Sequence, residues 1–514
     1  MNPINRDILK LAIPSILANI TVPIVGMVDI AVAGHLDASV ATLIGGIAVG
    51  SMLFDLLYWN FGFLRVGTGG LTAQAFGRQD WKECSRILTR ALGMSLAIAC
   101  CLLLIQWVFV KAAFMVVDCS PEVQQLASKY FFIRIWAAPA TLSLMALKGW
   151  FIGMQDSVSP MITDFVVNGM NVLMSIVLAL GIALPLAAPD PSSLSDLTLP
   201  PAARVLLPAM GFSGIALGTV AAQYSGLLVA LLIVLFKYRR KVLADFTLAD
   251  LRGVFKGSET RRFFVMNADL FVRSLCFIAI YIGFTIISAR YGDLLLAVSS
   301  IMMKILMIFS YFTDGFAYAG EAMTGRYIGA GDPVNLRKTV KWTFVWSLGL
   351  AALFIAIYHF GGVHILRMMT SDETVVNASR DFLPWLLLMP VVGCAAFTWD
   401  GIFIGATGSR EMRNSMLWSV VAFAAVWFVG IIILDSLTPL THSPVFEIVS
   451  PSDASAVPSE VSSVESYVDS RAVPGATPYG IIAMHILMAA YFAHLLARTI
   501  YLTLKARAVL RLSK

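Results

Sequence analysis

Thr72-Ala-Gln-Ala-Phe-Gly77-Arg-Gln-Asp80 and Thr324-Gly-Arg-Tyr-Ile-Gly329-Ala-Gly-Asp332 lie 252 residues apart and end alike, on a glycine followed by a short polar turn. Each follows a pair of long apolar segments and precedes a basic run, Lys82 to Arg90 in the first case and Arg337 to Lys341 in the second. The chain is therefore an internal duplication. Duplicated halves of like orientation in a membrane chain are the organisation of secondary transporters.

The 514 residues are 58% hydrophobic and 13% charged, with a mean hydropathy of +0.81. A water-facing surface needs far more charge, so a soluble domain is excluded. The six cysteines, Cys84, Cys100, Cys101, Cys119, Cys276 and Cys394, have no metal-ligand spacing and are expected as buried small hydrophobes. The six histidines have no zinc spacing either. No cleavable signal pattern opens the chain; from Ile8 it runs straight into an apolar span.

A membrane-crossing helix needs about 20 largely apolar residues. On that basis spans are predicted near 8–34, 39–66, 87–115, 127–153, 159–186 and 211–237. A second set follows near 262–289, 294–320, 339–360, 379–405, 411–435 and 479–504. Lys and Arg gather on one side, from Arg6 and Lys10 through Arg78, Lys82, Lys237, Arg240, Arg326, Arg337 and Arg410 to Lys505 and Lys514. That side is cytoplasmic by the distribution of positive charge, so both termini are expected there. The net charge of +6 is thus accounted for by orientation, with no call for nucleic acid.

These spans divide the chain into an N-terminal six-helix lobe at 1–238, a cytoplasmic linker at 239–261 and a C-terminal six-helix lobe at 262–514. An axis along the membrane normal should relate the two lobes. The outer loops at 187–208, rich in Pro, Ser and Leu, and at 438–478, rich in Pro, Ser, Val and acids, are expected to be irregular.

Some motifs mislead. Gly329-Ala-Gly-Asp332 matches the GxGD of intramembrane aspartyl proteases, but its partner Gly77-Arg-Gln-Asp80 lacks the second glycine. A helix ending in a polar turn explains both copies. Gly67-Thr-Gly-Gly70 follows a helix rather than a strand, and no Walker sequence is present. An enzyme is not expected, and no organic or metal cofactor is called for.

Ionisable groups at mid-bilayer cost about 2.5–3.5 kcal/mol each on insertion scales, so each needs a reason. The first half has Asp29, Asp55 and Asp164 with the amides Asn168 and Asn171; the second has Asp269, Arg273, Lys304, Asp314, Glu321 and Asp400. Packing hydrogen bonds account for any one of them, but so many together imply a wet interior. Asp29 follows Pro14 and Pro23, each of which removes a backbone donor and permits a bend. Asn168 and Asn171, three apart on one helix face, are placed to hydrogen-bond its carboxylate. Lys304 is the expected counter-charge of Asp314 or Glu321, which share a face seven residues apart. Asp269 and Arg273, four apart, are expected to pair, and Asp400 to reach Arg410 or Arg413 as a latch.

The long stretch Tyr58-Trp-Asn-Phe-Gly-Phe-Leu-Arg-Val-Gly-Thr-Gly-Gly-Leu-Thr-Ala-Gln74 resembles the second-helix signature of the DinF-like branch of multidrug and toxic compound extrusion (MATE) transporters. Asn267-Ala-Asp-Leu-Phe-Val-Arg273, Ser310-Tyr-Phe-Thr-Asp-Gly-Phe-Ala-Tyr-Ala-Gly-Glu321 and Trp399-Asp-Gly-Ile-Phe-Ile-Gly-Ala-Thr407 are similar to further motifs of that branch. The resemblance covers nearly the whole chain. It implies an all-α membrane protein of twelve helices in two pseudo-symmetric six-helix lobes around a V-shaped cavity. It also implies efflux of amphipathic or cationic organic compounds against an inward H+ or Na+ gradient, in a bacterial inner membrane. Asp29 matches the family's cation-coupling aspartate and Pro14 its bend point. The family's fifth helix carries Asn-x-x-Asn and then an aspartate; here Asn168 and Asn171 match, but the third position is Ser175. Loss of that carboxylate favours H+ over Na+, which wants several oxygen ligands.

Three other functions are weighed. A lipid-linked precursor flippase of the wider superfamily would need a groove rich in Arg for pyrophosphate. A membrane-embedded enzyme would need a paired catalytic motif, and a passive channel would not need duplicated lobes with buried titratable groups. Partners are then small organic molecules and the bilayer, and the chain is expected to act as a monomer. Deleting 447–474 should leave activity and expression nearly intact, since a polar Pro/Ser-rich loop adds little to helix packing. A large fall in export by normally expressed protein would instead make the loop a functional element.

Overall fold

The computed structural model describes residues 3–21, 29, 32, 40–115, 117, 119–185, 203–240, 254, 257–437 and 477–511. The first half forms α1 (Pro3–Ile20), α2 (Val40–Trp59), α3 (Phe63–Gly77), α4 (Trp81–Phe114), α5 (Pro121–Arg134), α6 (Ala138–Gly153), α7 (Val158–Leu180) and α8 (Phe212–Lys237). The second half forms α9 (Ser258–Ala289), α10 (Asp293–Ala330), α11 (Pro333–Met369), α12 (Glu373–Arg380), α13 (Leu383–Gly405), α14 (Ser409–Leu437) and α15 (Pro478–Arg511). Among the described residues, 11 helical segments are long and apolar enough to cross a membrane. Of the first predicted span, α1, Asp29 and Val32 are described, and Asp29 and Val32 are helical too. The protein is a nearly all-helical, multi-pass membrane protein.

Large apolar side chains stand exposed along these helices, among them Leu104, Trp107 and Val108 on α4, Phe360 on α11 and Ile432 on α14. Faces of this kind suit lipid, where the helix satisfies its own backbone groups. Cysteines follow the same division: Cys84 and Cys394 are buried, whereas Cys100 and Cys101 are exposed on the apolar α4. The expectation that all six lie inside is thus corrected.

Two predicted spans continue further than their apolar runs. The second runs from Thr42 to Gly77 and the eighth, α10, to Ala330. The added turns are rich in Gly and Thr, poor helix formers in water, but nearly all of α3 is buried and held by neighbours. Mid-way, the second and fourth spans each break into a single 3₁₀ turn, at Asn60–Gly62 and at Ile135–Ala137. Asn60 Nδ2 donates to the Leu56 carbonyl at 2.7 Å beside the first break.

The duplication reappears in the backbone. Gln79, Gln155 and Thr407 hold positive φ angles of 60°, 62° and 55°, and Gly331 one of 67°. The next residue in each case donates its N–H back into the helix: Asp80 to Ala75, Asp156 to Phe151, Asp332 to Tyr327 and Gly408 to Phe403. These are left-handed helix stops, which satisfy carbonyls that the last turn would leave bare. Gln79 and Gly331, and likewise Gln155 and Thr407, stand 252 residues apart. The GxGD match is therefore a helix terminus, and Asp80 caps α4 through the Glu83 N–H at 3.0 Å.

Contacts divide the described chain into two units. One comprises 1–271 with 321–332 and 404–407; the other comprises 272–320, 333–403 and 408–514. Phe309, Phe354, Phe382, Met416, Trp427 and Tyr491 belong to the apolar core of the second. In the outer loop expected to be irregular, Ala203–Leu207 pairs antiparallel with Ile182–Pro185, so a short ribbon continues from α7 back toward α8. The remainder of that loop, most of the 239–261 linker and 438–476 lie outside the described residues.

Asp156 ties the α6–α7 turn to the end of α8. Lys237 Nζ and the Tyr238 hydroxyl each donate to Oδ2 at 2.7 Å, and Ser159 donates to the same oxygen. Burial by itself would raise this carboxyl, but the Lys237, Ser159 and Tyr238 hydrogen bonds outweigh it and hold it below its ordinary 3.8. A depressed folded value stabilises above the unfolded one and loses that stabilisation as pH falls through the folded value. Asp156→Asn should therefore cost about 1–3 kcal/mol near neutral pH, with the difference from the parent beginning to shrink only below about pH 4 and vanishing once pH has fallen through the lower folded value. Thermal unfolding of purified protein across pH checks this; an acid-independent difference would exclude the charge as its source.

Candidate functional site

In the first unit Asp29 is buried, 5% exposed, and its carboxylate accepts a hydrogen bond from Ser175 Oγ on α7 at 3.2 Å. The amides expected there are turned elsewhere. Asn168 Nδ2 donates to Thr21 Oγ1, beyond the end of α1, at 2.5 Å, and Asn171 Nδ2 to Thr219 Oγ1 on α8 at 2.9 Å. The three polar residues of α7 thus fasten it at successive levels to the end of α1, to α8 and to Asp29. Close approach of α8 permits this: a Cβ on Gly218 would strike Ser175. Pro14 sits inside the helix α1, and Pro23 lies outside the described residues.

A cation absent from the sequence reading accompanies Asp29. Arg134 is the last residue of α5, immediately before the 3₁₀ turn. Its Nη1 donates to the Tyr130 hydroxyl at 3.1 Å and to Ser51 Oγ at 3.4 Å. The guanidinium also lies over the Phe54 ring, 4.9 Å from its centre. It is close enough to Asp29, Asp55 and Tyr58 to act on each electrostatically. Asp55 is exposed on α2, and beside the break the Tyr224 hydroxyl donates to the Trp136 carbonyl at 3.0 Å. Lys148 and Asp164 form a separate ion pair at 2.5 Å. Sequence did hold a signal for Arg134: an arginine followed by Ile-Trp-Ala-Ala-Pro139 inside an apolar span marks a strained, charged position.

Glu321 belongs to the same unit and is wholly buried. Its partner is Arg65 on α3, whose Nη1 donates to Oε2 at 3.1 Å, rather than Lys304. A Cβ on Gly69 would overlap Glu321 Oε1, so glycine is required there for the carboxylate to reach α3. Two glutamines interlock the same end of the unit: Gln74 Nε2 donates to the Gly405 carbonyl at 3.0 Å and Gln155 Nε2 to the Ala322 carbonyl at 2.7 Å. Asp269 is buried in this unit.

In the second unit Asp400 does not latch onto Arg410 or Arg413. It takes Arg498 Nε at 3.0 Å on Oδ1, while Oδ2 pairs with both Arg273 and Arg498. Three helices share this pairing, in which Arg273 meets Asp400. Asp314 lies within electrostatic reach of Arg498, and Lys304 is exposed with no ion pair among the described residues. One turn before Arg498, His494 is fully buried. Arg498 went unnoticed because it stands near the end of the last span, where Arg ordinarily serves as an interfacial anchor.

A buried ion pair is asymmetric when broken: the member without access to water suffers more. Arg65 is 18% exposed at its side chain and Glu321 0%. Arg65→Gln should thus destabilise by about 3–5 kcal/mol and Glu321→Gln by about 1–2 kcal/mol, read from thermal unfolding in detergent. Equal losses would show that Glu321 does not carry a stranded charge.

The sequence model of the MatE family matches twice, over residues 14–177 and 270–434. DNA damage-inducible protein F of Escherichia coli (strain K12) is 34% identical over 422 residues, covering 82% of this chain and 84% of that protein. A probable multidrug resistance protein NorM of Photorhabdus laumondii is 23% identical over 83% of this chain and 86% of its own. A solved structure described as the outward-facing conformation of a multidrug resistance MATE family transporter superposes with a TM-score of 0.72 at 14% identity, covering 99% of this chain and 97% of that one. Two copies of one helical unit, with buried charge in both, match that assignment throughout, and the chain belongs to the MATE family of multidrug and toxic compound extrusion transporters.

Proposed function

We propose that this transporter is a proton-coupled antiporter that exports amphipathic, cationic organic compounds from a bacterial cytoplasm. Asp29 is its coupling carboxylate. The observation that carries this reading is a buried aspartate held, among the described residues, by the neutral hydroxyl of Ser175, with the guanidinium of Arg134 nearby. Sodium would want several oxygen ligands, and a resident cation competes with it; a proton needs only the carboxylate. The protein then works as a single chain with both termini in the cytoplasm, and no catalytic step is involved.

Protonation from outside neutralises Asp29 and weakens the bond that Ser175 donates to it. The first span is then free to bend at Pro14 and Pro23, and bound cation loses its counter-charge. For a neutral substrate, one proton across 100 mV and one pH unit supplies about 3.7 kcal/mol, a gradient of a few hundredfold. For a monovalent cation the exchange is electroneutral and about 1.4 kcal/mol remains. A flippase for lipid-linked precursors is less well supported: Arg65, Arg273 and Arg498 are engaged by carboxylates rather than presented to a pyrophosphate.

Dye transport in proteoliposomes, driven by ΔpH or by ΔNa+, tests the proposal. Export should follow ΔpH, and Asp29→Asn should abolish coupled export while leaving the protein folded and inserted. Wild-type rates in that variant would remove Asp29 from the mechanism, and export driven by ΔNa+ alone would replace the proton.

A further inference from the structure

We propose that Asp164, paired with Lys148, is the group that hands the coupling proton to the cytoplasm, and that one polar stripe of α7 carries the proton to it from Asp29. This deepens the antiport reading above and rests on it.

Asp164, Asn168, Asn171 and Ser175 are spaced by four, three and four residues, so they share one face of α7. The opposite face exposes the apolar Ile162, Leu173 and Leu180. Each member of the stripe meets a polar group of another segment. Ser175 meets Asp29 at 3.2 Å, Asn171 meets Thr219 at 2.9 Å, Asn168 meets Thr21 at 2.5 Å, and Asp164 meets Lys148 of α6 at 2.5 Å. From Ser175 to Asp164 the stripe covers about 16 Å of helix. Asp164 and Lys148 both stand within two turns of the α6–α7 turn, which Lys237 and Tyr238 tie through Asp156. That turn lies on the side where Lys and Arg gather.

Burial makes such a route necessary. Asp29 is enclosed, so a proton it has taken from outside must leave through neighbouring polar groups. Asn171 supplies a second observation: it is 2% exposed, and its Oδ1 has no hydrogen-bond partner among the described residues. A buried acceptor of this kind wants a donor, and a water molecule suits a polar site between side chains. The two amides are neither acids nor bases near neutral pH, so their part is to hold the water that conducts. Asp164 ends the stripe with a group that can take the proton. Lys148, 32% exposed at its side chain against 13% for Asp164, leads from the pair toward solvent.

The transfer balances. The O–H bond of protonated Asp29 breaks and its oxygen keeps the electron pair. Water along the stripe accepts that proton and passes one on, and an Asp164 oxygen forms the new O–H bond. Lys148 stays an ammonium throughout. Loss of the proton from Asp164 to cytoplasmic water then restores the ion pair.

ΔpH-driven ethidium export and ethidium–ethidium exchange at equal pH, both in proteoliposomes, separate this role from packing. Export needs a proton to leave in every cycle; exchange needs none. Asp164→Asn should lower export about tenfold or more and leave exchange at the wild-type rate, and Asp164→Glu should keep most of the export. Asp164→Asn combined with Lys148→Met removes both charges and strands neither, which keeps the test decisive should Asp164→Asn alone fail to fold. The double variant should exchange ethidium yet remain as defective in export. A pair that served packing alone would let export and exchange fall together in Asp164→Asn, or let export recover in the double variant; either result overturns the role of Asp164. ΔpH-driven export by wild type would still leave the antiport reading standing, whereas its absence would overturn both.

Discussion

The Glu321 carboxylate is the constraint on which the first unit turns. It is wholly buried, it needs the Arg65 guanidinium, and it reaches that partner only across the bare backbone of Gly69. A charge in such a place is tolerable only when its neighbours are fixed in advance. That requirement fits the small residues Gly67, Thr68, Gly69 and Gly70 of α3. It also explains the left-handed stops at Gln79, Gln155, Gly331 and Thr407. Each ends a helix abruptly, so the chain can turn without lengthening the packed segment, and Gln74 and Gln155 then reach main-chain carbonyls at the same end.

Much of this architecture was legible in the sequence because it follows from solvent and period. Apolar length gave the spans, the motif repeat at 252 residues gave the duplication, and a helix terminus was the right reading of Gly329-Ala-Gly-Asp332. The same rules missed where α3 and α10 end, since Gly and Thr count against a helix unless tertiary burial overrides propensity. The ribbon of Ala203–Leu207 escaped for a related reason: five residues beside two prolines are too few to show a period.

The site was legible residue by residue but not pair by pair. Asp29, Glu321 and Asp400 were singled out correctly as buried carboxylates, yet none has the partner expected for it: Ser175 replaces the two amides, Arg65 replaces Lys304, and Arg273 and Arg498 replace Arg410 or Arg413. Spacing along one helix shows which residues share a face, but not which neighbouring helix that face meets. Ser175 was noticed as a substitution for a carboxylate, and only packing shows that it is the hydroxyl on Asp29. Arg134 and Arg498 were passed over because an isolated arginine in an apolar run resembles an interfacial anchor.

The duplicated halves have diverged in how they treat buried charge. Asp400 is enclosed by two guanidiniums from two other helices, so protonating it would strand both cations; that carboxylate is committed to structure. Among the described residues the direct partner of Asp29 is one hydroxyl, and Arg134 stands on separate hydroxyl contacts. Among the described residues, neutralising Asp29 would therefore break no ion pair. A duplicated scaffold thus holds buried carboxylates in two ways, Asp400 by paired guanidiniums and Asp29 by a hydroxyl.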